Sequence, residues 1–86
     1  MNELNLLIID DDPLIAETIR RDALKLGFKG VIATEWEKIA GEVSKFDLIL
    51  LDLVMPGFDG ISVLRALSAM NVEIPVILSS GLDRRV

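Results

Sequence analysis

Three carboxylates stand where they can act together. Asp10 and Asp11 follow the apolar run Leu4 to Ile9, and Asp52 follows the apolar run Leu48 to Leu51. In open α/β sheets, ligands bind beyond the carboxyl ends of the strands. If the two runs are neighbouring parallel strands, all three carboxylates meet at one point. No Lys or Arg lies within these strand-end segments. Clustered carboxylates repel one another unless a cation joins them. A hard divalent ion is the natural partner, and Mg²⁺ suits one or two carboxylates completed by water and phosphate. A carboxylate beside Mg²⁺ is a nucleophile toward phosphorus and can form an aspartyl phosphate. The metal then offsets the charge developing on the transferring group. A third apolar run ends in Ser79-Ser80-Gly81, where the Ser80 hydroxyl is a candidate hydrogen-bond donor to a phosphoryl oxygen. Each piece alone has a plainer reading. Asp10 to Asp12 reads equally well as a turn with a helix cap, an Asp after a strand is most often a turn residue, and Ser-Ser-Gly is an ordinary turn. The two acidic strand ends together are much harder to explain that way.

These groups need a scaffold that alternates strands and helices. Leu4 to Ile9 reads as a first buried strand. Asp12-Pro13 signals a helix start, and Ile15, Ile19, Ala23 and Leu26 give that helix an inward stripe until Gly27 ends it. Phe28 to Thr34 reads as a second strand. Glu35 to Ser44 reads as a short helix with Trp36, Ile39, Ala40 and Val43 inward, weakened by Gly41. The run into Asp52 reads as a strand buried on both faces. Met55-Pro56-Gly57 then forms a loop, and Asp59-Gly60 precedes a third helix, Ile61 to Met70, with Ile61, Leu64, Leu67 and Met70 inward. Ile74 to Leu78 reads as a fourth strand, with Pro75 tolerated near its start. Such β-α-β-α-β-α-β alternation with right-handed crossovers predicts a doubly wound parallel sheet with helices on both faces.

Composition narrows the chemistry. The 86 residues allow one small domain. Net charge is −5 and there is no basic cluster, which disfavours direct binding to nucleic acid. The absence of Cys removes disulfides and thiolate metal sites, and the absence of His removes the commonest general base and any His-based triad. No apolar run reaches membrane-spanning length and no secretory signal opens the chain, so a cytoplasmic location is expected. Mean hydropathy is +0.48, high for so short a chain, which fits strands buried on two faces or a surface meant for a partner.

Taken together, LLIIDDDPLI (6 to 15), LGF (26 to 28), DLILLDLVMPGFDG (47 to 60) and PVILSSG (75 to 81) resemble the receiver domain of two-component response regulators. The order and spacing of these pieces span nearly the whole chain. The resemblance implies a flavodoxin-like, CheY-like sheet of order 2-1-3-4. It implies that Asp52 accepts a phosphoryl group from a sensor histidine kinase or a phosphotransfer protein. Asp11 then matches the direct Mg²⁺ ligand and Asp10 the partner acting largely through water. Val54 matches the position whose backbone carbonyl completes the metal site, and Ser80 the switch hydroxyl. Such a domain is not an enzyme in the ordinary sense, since it catalyses only its own phosphorylation.

The family continues past the fourth strand with a fourth helix, a fifth strand and a fifth helix, including a Lys that contacts the phosphoryl group. No Lys follows Lys45 here. The expectation is a receiver domain over 1–86 truncated after the fourth strand, with slower phosphorylation chemistry. An open fourth-strand edge and an uncovered sheet face then predict self-association. The alternative reading is a non-phosphorylated interaction or self-association module. A metal-dependent phosphohydrolase is disfavoured because Val54 stands where a second carboxylate is wanted. A dinucleotide site is disfavoured because no Gly-rich loop follows the first strand.

Overall fold

Alternation along the first strand accounts for the layers. In the computed structural model, which describes residues 3–55 and 58–79, β1 (Leu4–Ile9) places Leu7 and Ile9 in one apolar cluster and Leu6 and Ile8 in another. All four are buried, so this strand has a core on each face. Such a strand must sit inside a sheet. It does: β2 (Phe28–Ala33), β1, β3 (Leu48–Asp52) and β6 (Val76–Ser79) lie side by side in the order β2-β1-β3-β6. Every pairing is parallel. Counted within this sheet the strand order is 2-1-3-4, as the resemblance implies, and the parallel pairing is what the alternation of elements predicts.

Helix α1 (Pro13–Lys25) covers the Leu6/Ile8 face through Ala16, Ala23 and Ile19. The other face is covered by α2 (Trp36–Ile39), its continuation as a 3-10 helix over Ala40–Lys45, and α3 (Gly60–Ala69). Val43, Val63 and Leu67 supply the buried contacts there. Each fully buried aliphatic side chain contributes about 1.5–3 kcal/mol relative to exposure, so the central strands carry most of the stability. The tightening of α2 begins beside Gly41, whose conformational freedom weakens an α-helix.

Several details depart from the periodicity. Leu26 is 78% exposed, because α1 has already ended at Lys25 and Gly27 turns the chain with φ +92°. In α3 the buried stripe is Gly60, Val63 and Leu67, while Ile61 and Met70 are nearly half exposed. The phase of that helix is set by Gly60, which seats its first turn against β3. The central strand is not equally buried on both faces: Ile49 and Leu51 are fully enclosed, whereas Leu48 and Leu50 are only partly covered. Of the expected loop Met55-Pro56-Gly57, Met55 instead belongs to a short strand β4 (Val54–Met55), paired antiparallel with β5 (Phe58–Asp59) so that Val54 lies opposite Asp59, while Pro56 and Gly57 lie outside the described residues. The fourth strand starts two residues later than the sequence suggests and runs on to Ser79.

Register is what the site depends on. At the start of β3, the Asp47 carboxylate accepts a hydrogen bond from Asn5 N–H at 2.7 Å, and Asp47 N–H donates to the Asn5 carbonyl at 2.8 Å. This two-way link opens the β1/β3 ladder with Asn5 level with Asp47. The same register pairs Leu6 with Leu48 and Ile9 with Leu51.

Candidate functional site

One step beyond the Ile9–Leu51 pair, the register carries Asp10 level with Asp52. The two acidic strand tips predicted from sequence are therefore parallel neighbours. Both are buried, with Asp10 2% and Asp52 4% exposed. On its other side, Asp52 is paired in register with Ser79 of β6, and Leu53 N–H donates to the Ser79 carbonyl at 2.9 Å. Asp10 N–H reaches the Ala33 carbonyl at the end of β2. Four strand ends thus converge around Asp52, which is where an α/β sheet offers a ligand site.

The turn after β1 is built by the acidic run itself. Asp12 accepts hydrogen bonds from Leu14 N–H at 3.1 Å and Ile15 N–H at 3.3 Å, capping α1, and Pro13 opens the helix where its missing N–H costs nothing. Asp12 N–H turns back and donates to Asp10 Oδ1 at 3.0 Å. Asp11, half-buried, is held between the two ends of that bond. The cap and the acidic pair are thus parts of one turn.

The far side of the site is closed by α3. Asp59 caps this helix by accepting from Ile61 N–H at 3.1 Å, and the Ser62 hydroxyl donates to Asp59 Oδ2 at 2.8 Å. Foremost that hydroxyl, with backbone N–H donors and nearby Arg65 assisting, holds the Asp59 carboxyl below its usual range. Behind the cap, Gly60 touches β3. A Cβ placed on Gly60 would lie 2.7 Å from the Asp52 carbonyl oxygen and 2.8 Å from Leu53 Cα. Sequence reasoning missed this close approach, although a Gly directly after an Asp cap is a signal for it. A cleft of about 360 Å³ opens between the starts of α2 and α3, with Glu35, Trp36, Asp59 and Ser62 on its walls. The lone indole therefore stands beside the α3 cap.

Of the remaining candidates, Val54 begins β4, two residues past Asp52, and Ser80 lies outside the described residues, directly after Ser79. The donor set at the strand ends is all oxygen. Among the described residues, no three acidic side chains are gathered closely enough to hold a metal together, so the expected meeting of Asp10, Asp11 and Asp52 at one point is not seen. Mg²⁺ itself needs only one or two carboxylates, its octahedron being completed by water, backbone oxygen and phosphate. No helix among the described residues is long and apolar enough to cross a membrane.

Comparison with known proteins bears on the same residues. The family model described as "Response regulator receiver domain" matches residues 6–85. The transcriptional regulatory protein MalR of Bacillus subtilis is 41% identical over 84 residues, covering 91% of this chain and 35% of MalR. The cell cycle transcriptional regulator CtrA of Caulobacter vibrioides is 35% identical over 80 residues, covering 91% of this chain and 35% of CtrA. The chain thus spans about a third of the length of these curated relatives. Among solved structures, a Francisella response regulator receiver domain superposes with a TM-score of 0.81 at 32% identity, over 94% of this chain and 69% of that one. The response regulator TrrA of Thermotoga maritima, solved with Mg²⁺ and BeF, gives a TM-score of 0.78 at 25% identity over 90% of this chain and 69% of that one. Parallel order, level acidic strand tips and a sequence match over nearly every residue lead to one conclusion: this chain belongs to the response regulator receiver domain family.

Proposed function

We propose that this chain is a Mg²⁺-dependent phosphoacceptor in which Asp52 takes a phosphoryl group from the phosphohistidine of a sensor kinase or of a phosphotransfer protein. The observation that carries this reading is the register that sets buried Asp10 level with buried Asp52 at the open end of the sheet. A carboxylate oxygen of Asp52 attacks phosphorus, the phosphorus–nitrogen bond of the donor breaks, and the imidazole leaves with the electron pair. The product is an acyl phosphate on Asp52. Asp10, Asp11, Asp52 and the Val54 carbonyl are the groups that would hold Mg²⁺, Asp11 directly and Asp10 largely through water. When bound, Mg²⁺ neutralises charge on the phosphoryl oxygens in the transition state. Ser80 directly follows the residue paired with Asp52, which suits its hydroxyl to a phosphoryl oxygen. The chain alters only itself and turns over no separate substrate, so it acts as a switch. It works in the cytoplasm, where its kinase presents the phosphohistidine.

The test uses acetyl phosphate as a small donor. With Mg²⁺, the folded chain is expected to gain one phosphoryl group by intact mass, mapped to Asp52 in the peptide that contains it. Without a divalent ion the gain should vanish. A folded chain that stays unmodified with both reagents, or that is modified elsewhere, rules the proposal out.

A second property rests on a separate observation. Ile77 and Leu78 on β6 are 51% and 48% exposed, one toward each face of the sheet, and β6 pairs only with β3 among the described residues. Such an apolar edge is a template for strand pairing. The 86-residue chain is therefore expected to self-associate at micromolar concentration, by β6 pairing or exchange between chains. Sedimentation velocity that shows monomer alone at that concentration removes this part of the reading.

A further inference from the structure

We propose that Asp12 is a positioning residue for the acidic pair, acting through the helix cap and not through its charge. The inference rests on the reading of Asp10 and Asp11 as Mg²⁺-side carboxylates. Three bonds make the case. The Asp12 side chain accepts from Leu14 N–H and Ile15 N–H, and its carbonyl accepts from Ala16 N–H at 3.0 Å. Together these fix the Asp12 backbone in an extended conformation, φ −93° and ψ 104°. In that conformation Asp12 N–H lands on Asp10 Oδ1 at 3.0 Å.

The consequences run backward along the chain. Asp10 is 2% exposed and is committed at Oδ1 to this bond, so the rotation of its carboxylate is tied to Asp12. Asp11 lies inside the ring that the bond closes. Its backbone has the end of β1 on one side and the capped helix on the other. Freeing the cap lets the turn relax, and both carboxylates lose a fixed direction. Outer groups that orient metal ligands typically matter by 10- to 100-fold in affinity. Asp12 itself is exposed and faces the helix N–H groups, which suits a structural anchor better than a ligand.

The experiment reads Mg²⁺ binding in two ways: the rise in Tm on Mg²⁺ addition without any phosphodonor, and the Mg²⁺ concentration that half-saturates phosphorylation by acetyl phosphate. Asp12→Ala is expected to raise the half-saturating Mg²⁺ concentration about tenfold. Asp12→Asn keeps a capping oxygen and should stay within about twofold of the native chain, although it removes the charge. Arg21→Gly, on the exposed face of α1, should lower Tm by a similar amount to Asp12→Ala and leave the Mg²⁺ dependence alone. If Asp12→Ala proves too unstable, Asp12→Gly preserves helix stability better while still removing the anchoring oxygen, and should show the same Mg²⁺ defect. Native Mg²⁺ dependence in both Asp12→Ala and Asp12→Gly overturns the inference. So does an equal defect in Asp12→Asn, which would assign the effect to charge, or in Arg21→Gly, which would assign it to general destabilisation. A native chain with no Mg²⁺ response at all overturns the underlying functional reading, and this inference with it.

Discussion

Asp52→Asn is expected to reduce phosphoryl uptake from acetyl phosphate to background while leaving the chain folded. The substitution keeps the shape of the side chain and replaces the nucleophilic oxygen with an amide that forms no acyl phosphate. No Cys or His is present to take over, and Asp10 has its Oδ1 engaged by Asp12 N–H. The same variant should also lose most of its response to the metal. For a ligand at about a hundred times its Kd, binding adds about 2.7 kcal/mol to stability. In a domain of this size about 1 kcal/mol moves Tm by roughly 4–8 °C. The native chain should therefore gain about 10–20 °C in saturating Mg²⁺. Asp52→Asn removes one of two buried carboxylates at the strand ends, so the rise should shrink to a few degrees. Differential scanning fluorimetry and intact mass spectrometry read the two effects on the same samples. An equal Mg²⁺ shift in both proteins would move the metal away from Asp52, and a phosphoryl group on the variant would move the nucleophile.

The second large effect is expected at a residue with no functional group. Gly60→Ala puts a methyl 2.7 Å from the Asp52 carbonyl oxygen and 2.8 Å from Leu53 Cα. Both contacts are backbone, so no side chain can swing aside. Either α3 lifts off β3 or the end of β3 bends. Alanine favours a helix over glycine by about 1 kcal/mol, but forcing atoms into a packed site costs about 1–3 kcal/mol. The clash should win, lowering Tm by several degrees or more, and Gly60→Val should be worse. Because the displaced atoms belong to Asp52 and Leu53, the phosphorylation rate should fall as well. Gly41→Ala is the matched control: a Cβ there meets nothing within 4 Å, so Tm should hold or rise slightly. If Gly60→Ala melts and phosphorylates like the native chain, the close contact between α3 and the site has no energetic weight.

These two residues mark the boundary between what a sequence can state and what it cannot. Asp52 was legible because three signals agree: an apolar strand before it, an acidic pair after an equally apolar strand, and a Pro-Gly break close behind. Asp12 and Asp59 were legible as caps because local hydrogen bonding to helix N–H groups depends only on near neighbours. The inward faces of α1 and α3 were only half legible. Leu26 and Ile61 have the right spacing, yet helix phase is fixed by what the helix touches, and Gly60 against β3 turns Ile61 outward. The β4/β5 pair escaped notice because two-residue strands have no periodicity to detect.

By itself, the sequence determined the alternation of strands and helices, the strand ends on which the carboxylates stand, and the oxygen-only chemistry left once Cys and His are absent. Those are local properties, written in composition and spacing. Tertiary structure alone decided that Asp10 is level with Asp52, that Asp12 N–H returns to Asp10, and that Gly60 rests on the Asp52 carbonyl. Strand register and helix docking are settled by contacts between residues tens of positions apart, such as Asn5 with Asp47, and no local pattern encodes the distance at which they meet.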